Sequence, residues 1–100
     1  MRPEGRDGME KEFCLRIWFK MVENARIQRT ETITVTLDDT RTHKIFHALD
    51  EICQEWDLGK PIWLDANIEE FKKRARTRFT HDNFIEEVPF DYLEMHILEE

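Results

Sequence analysis

The sequence predicts an α+β domain: a three-stranded, mostly antiparallel sheet with one main amphipathic helix packed on one face, in the order ββααβ. Three observations predict it. Residues 40–59 carry apolar side chains at the spacing of one helix face. Residues 13–22 and 90–98 alternate with a period of two. A threonine-rich stretch follows the first of these after a short polar break, as in a hairpin.

The helix organises the rest. Ile45, Phe46, Leu49, Ile52, Cys53 and Trp56 fall on one face. Asp38, Asp39 and Thr40 offer oxygens to the free N–H groups of a first turn. Gly59 is expected at the left-handed position just past the end, and Pro61 prevents the helix from resuming. Burying six such side chains is worth on the order of 10 kcal/mol before entropy is subtracted, so this face demands an apolar partner.

Residues 1–11 are polar, with two glycines and a proline, and read as a disordered tail before a single domain at 12–100; Met9 is an alternative start. In the first strand Phe13, Leu15, Ile17, Phe19 and Met21 form a fully apolar face. Cys14, Arg16, Trp18, Lys20 and Val22 form the other. In the second strand, residues 27–37, Ile33, Val35 and Leu37 alternate with threonines. A two-residue loop at Glu23-Asn24 would set threonines opposite Leu15. An odd-numbered loop or a bulge instead pairs Leu15 with Ile33 and Phe13 with Val35, and this is expected. Arg29 and Glu31 then point to the helix side, either because the sheet outruns the helix or as inward charges guarding an edge strand.

Residues 61–64 read as a short extended piece closing the core with Trp63. A second helix is expected over residues 67–77, with Asn67 as N-cap, Glu70 as its capping-box partner, and Ile68, Phe71, Ala75 and Phe79 as a narrow apolar stripe. Its acids come early and its bases late, matching the helix dipole. Residues 81–88 read as a turn or short helix with Asp82 as N-cap and Phe84 and Ile85 as anchors, ended by Pro89. In the final strand Leu93, Met95 and Ile97 face the core, with Tyr92, Glu94 and His96 opposite.

Composition excludes several chemistries. The chain has 100 residues and no serine, which removes serine-nucleophile catalysis. Its three glycines form no phosphate-cradling loop. No apolar run approaches the ~20 residues that span a bilayer, and no membrane role is expected. Two cysteines without a disulfide framework suit a cytoplasmic setting. The net charge of −7 belongs to an acidic C-terminus: residues 82–100 hold seven acids and no Lys or Arg, while the other 81 residues hold 15 of each sign.

The remaining constellations have simple competing readings. His43, His47 and Glu51 share a helix face, but a structural zinc site needs four ligands, so a solvated polar face explains them. Cys53 lies on the apolar helix face and reads as core, and Cys14 has no visible base beside it. Lys72, Lys73, Arg74, Arg76 and Arg78 put five bases in seven residues, a possible phosphate-binding helix or simply a dipole-matched helix end. Arg16, Trp18 and Lys20, beside Tyr92 and His96, form an aromatic and basic sheet face open to a partner, unless the second helix folds over it.

The leading expectation is therefore a small protein-interaction or binding module, not an enzyme, self-associating as a homodimer or holding a protein partner through the Trp18 face. No catalytic residue, metal or cofactor is expected. The rival is a nucleic-acid-binding module using the basic stretch and the same sheet face.

Overall fold

The computed structural model describes residues 15–36 and 39–99. The expected tail, Phe13, Cys14, Leu37 and Asp38 lie outside the described residues. The elements are β1 (Leu15–Glu23), β2 (Arg26–Val35), α1 (Arg41–Glu55), α2 (Asp65–Arg74), β3 (Arg76–Phe79), a single 3-10 turn (His81–Asn83) and β4 (Tyr92–Glu99). The α+β class and the antiparallel sheet stand. The sheet has four strands in the order β2-β1-β4-β3, not three, and every neighbouring pair is antiparallel.

The first hairpin turns on Asn24 and Ala25, both left-handed at φ 53° and 61°, the conformation of a two-residue turn that matches strand twist. A bulge beyond Met21 then shifts the register by one residue. Leu15 consequently pairs with Val35 and Ile17 with Ile33. The expected pairing of Leu15 with Ile33 is thus two residues off. The faces survive because the slip is even, and side chains alternate with a period of two. Ile33 and Val35 are buried, whereas residues 26–30 are exposed, so the hairpin extends past the helix.

Thr40 caps α1 as expected, its Oγ1 accepting from the His43 N–H at 3.2 Å. Asp39 Oδ1 accepts from the Thr40 N–H at 2.7 Å and meets His43 Nδ1 at 3.0 Å. These contacts, the Thr40 N–H first, hold the Asp39 carboxyl below its usual value. Ile45, Leu49, Ile52, Cys53 and Trp56 are buried, with Ala48 between them. Phe46 is instead 44% exposed and lies edge-on to Trp63.

The helix ends earlier than Gly59. Asp57 takes the left-handed position, at φ 55°. The Leu58 N–H reaches the Cys53 carbonyl at 2.8 Å and the Asp57 N–H reaches Gln54 at 3.3 Å, the paired closure of a Schellman motif. Leu58 packs on the core and holds the motif shut, which offsets the strain of a non-glycine residue there. Gly59 donates its N–H to Glu86 Oε1, and an added Cβ would meet that oxygen at 3.2 Å.

The second helix also departs from expectation. It starts at Asp65, after Leu64, and Asn67 is its third residue rather than its cap. Asn67 is buried and fully bonded: Oδ1 accepts from the Leu64 N–H at 3.1 Å and Asn83 Nδ2 at 2.7 Å. Its Nδ2 donates to Thr77 Oγ1 and to the Arg78 carbonyl, each at 2.9 Å. Asn83 also binds the Ile62 carbonyl and N–H, so one pair of amides ties the extended 61–64 segment, α2 and β3 together.

The helix stops at Arg74 because Ala75 turns left-handed, at φ 56°. Arg76–Phe79 then pair with β4, Thr77 opposite Met95 and Phe79 opposite Leu93. The expected helix over 67–77 is therefore a shorter helix followed by a strand. The period-two burial of Thr77 and Phe79 outweighs the helix propensity of the bases beside them. Ile68 is not part of a buried stripe, being 39% exposed. Thr80, not Asp82, precedes the 3-10 turn. Phe84 anchors that segment, but Ile85 is 90% exposed, and Val88 and Phe90 are the buried residues there.

One core results. Leu15, Ile17, Phe19, Phe79, Leu93 and Met95 from the sheet meet Ile45, Leu49 and Ile52 of α1 and Phe71 of α2. Trp63 closes it, edge-on to Phe46, Phe71 and Phe79. Its buried indole Nε1–H finds no acceptor among the described residues. Both helices thus lie on the odd-numbered side of β1.

Candidate binding face of the sheet

No described element covers the other side of the sheet. Strand pairing decides which residues meet there. Thr32, Trp18, His96 and Arg76 form one row across all four strands, and Thr30, Lys20, Glu94 and Arg78 form the next. Arg16 lies opposite Thr34 and Glu99, and Val22 opposite Tyr92. Directly opposed residues of antiparallel strands share a face. The five residues expected to form an interface, Arg16, Trp18, Lys20, Tyr92 and His96, are therefore brought together.

The basic stretch splits. Arg76 and Arg78 belong to β3 and join this face, whereas Lys72, Lys73 and Arg74 end α2. A single phosphate-binding helix does not exist. Sequence reasoning missed this because bases suit a helix end. The available signal was the alternation Arg76, Thr77, Arg78, Phe79, which places an apolar or small residue at every second position.

Glu94 sits at the centre, 6% exposed. Its Oε1 lies 3.3 Å from Arg78 Nε and 3.8 Å from Lys20 Nζ. A buried carboxylate is tolerated only when paired, and here two cations flank it. The same cations cover the rings: Arg78 Cζ is 4.4 Å above Tyr92 and Lys20 Nζ is 5.0 Å above Trp18. The Trp18 indole N–H donates to Thr30 Oγ1, which fixes the ring on the surface. Arg16 approaches Glu99 at 3.9 Å. Four cations against Glu94 and Glu99 leave this face with a local excess of two positive charges, in a chain of net charge −7. Chemically the face offers stacked planar groups with cations around them.

The other candidates lie apart. His43, His47 and Glu51 are exposed on α1, and no group of three metal-ligating side chains occurs among the described residues. Cys53 is buried in the core, and burial, helped by Asp50, pushes its thiol up to about 11, which keeps it protonated and inert at neutral pH. Among the described residues no helix is long and apolar enough to cross a membrane. Compared with known protein families, with curated proteins and with solved structures, the chain matches none of them.

Proposed function

We propose that this chain is a non-catalytic binding module that holds single-stranded nucleic acid across the open face of its sheet. The observation that carries the reading is the gathering of Arg16, Lys20, Arg76 and Arg78 around Trp18 and Tyr92 on one face that no described element covers. A single strand presents phosphates and unstacked bases together, and a sheet bearing both cations and flat side chains suits both. The Arg78–Tyr92 stack supports this, because a guanidinium plane is itself a stacking surface. Lys20 is a flexible cover over Trp18, and moving it costs about 1 kcal/mol or less. The net charge of −7 belongs to residues 82–100, and the two of those acids that reach this face, Glu94 and Glu99, are each met there by its own cations.

Self-association through the same face is the second reading, favoured by the half-buried Trp18 and Tyr92 rings on it. It is the weaker of the two, because a two-fold contact would bring together two faces that each carry the same local excess of positive charge.

Anisotropy of a labelled single strand of about 12 nucleotides separates the readings. Four cations predict a fall of log K with log salt of slope about −3. Arg16→Glu and Arg76→Glu should each flatten that slope, Trp18→Leu should weaken binding at every salt, and Glu94→Gln should tighten it at low salt. No binding at low salt, with light scattering showing a dimer that Trp18→Glu dissociates, would reject the nucleic-acid reading in favour of self-association.

A further inference from the structure

On the helix side of the sheet, the first half of α1 faces α2 across a cavity of about 280 Å³. We propose that this cavity binds a small aromatic carboxylate. Its walls are Phe46, Trp63, Ile68 and Phe71. Phe46 and Phe71 both stand edge-on to Trp63, at ring-centre distances of 6.0 and 5.6 Å. Aromatic walls at right angles to one another leave edges and faces for one more flat ring. The volume fits such a ligand, since an apolar cavity of about 150 Å³ takes benzene, and the extra space accommodates a short arm.

The partial exposure of Phe46 and Ile68 has the same origin: both are apolar positions whose neighbour on this side is the cavity rather than the core. The acid end is dictated by charge. Arg41 and Lys72, both exposed, line the mouth, with Arg41 Cζ 5.5 Å above the Phe71 ring. Arg41 and Thr42 are also the first turn of α1, whose dipole places partial positive charge there. A carboxylate at the mouth with its ring inside meets all of these groups, whereas a cation or an uncharged polar group does not. The site shares no residue with the sheet face, so either proposal can fail without the other.

The test is a titration of the full chain, followed by backbone amide chemical shifts, with 3-phenylpropanoate and separately with its neutral amide. Saturable shifts at Arg41, Phe46, Ile68 and Lys72 are expected with the acid, and clearly weaker binding with the amide. Lys72→Glu should weaken acid binding about three- to tenfold. Ile68→Trp, which fills the mouth from a surface position, should abolish it. Absence of saturable shifts at millimolar ligand, equal binding of acid and amide, or unchanged binding by both variants would each overturn the proposal. Lys72 is exposed, so its variant reports even if Ile68→Trp does not fold.

Discussion

Replacing Asn67 with alanine tests the polar joint between α2, β3 and the 61–64 segment. The side chain makes four hydrogen bonds, to the Leu64 N–H, Asn83 Nδ2, Thr77 Oγ1 and the Arg78 carbonyl. A net value of about 1 kcal/mol for each gives about 4 kcal/mol. Thr77 keeps its bond to Glu70 at 2.9 Å, and water reaches the partly buried Leu64 and Arg78 groups, which lowers the expected loss to about 3 kcal/mol. For a domain near this size that is about 15 °C in Tm. Thermal and urea unfolding followed by circular dichroism measure it, with an unchanged denaturant slope if both end states keep their compactness. Asn67→Asp should recover little, because a carboxylate cannot donate to Thr77 or to Arg78. A loss below about 1 kcal/mol would refute the argument, since it would mean that these elements are held by apolar packing alone.

Two further outcomes follow from backbone strain and titration. Ala25→Gly should stabilise the first hairpin by about 0.5 kcal/mol, the relief of a left-handed alanine less the entropy glycine adds to the unfolded chain; a lower Tm would count against the turn assignment. The Glu55 carboxyl is held above the usual glutamate value, first by its hydrogen bond to Glu31 and then by desolvation and the Glu31 and Glu51 charges. A carboxyl raised in the folded state binds its proton more tightly there, so its contribution to stability is present in acid and is lost as pH rises from the usual glutamate value through the higher folded one. Glu55→Gln should therefore gain stability over the parent chain between acid and neutral pH, as read from urea midpoints; an identical pH profile for both would show that the two carboxyls do not interact.

Much of the fold is legible in local pattern. The apolar face of α1 follows from helical spacing alone, and the core-facing sets Leu15, Ile17 and Phe19 and Leu93, Met95 and Ile97 follow from alternation. Parity explains why the wrong partner for Leu15 still put the right side chains inward. The ends of elements are less legible, because Asp57 and Ala75 adopt left-handed backbone that their own chemistry disfavours and that neighbouring packing imposes.

Sequence alone determined the α+β class, the principal helix and the inward face of each strand it recognised, since each rests on repeats within a few residues. Tertiary structure decided that residues 76–79 are a strand, that Asn67 is a buried joint, and that Arg76 and Arg78 stand beside Trp18 and Lys20. Those facts depend on which strand lies next to which, and β3 comes to lie in the same sheet as β1 only through their shared neighbour β4. Contacts between residues some sixty positions apart leave no trace in local periodicity, which is why Arg76 and Arg78 looked remote from the aromatic strand and yet share its face.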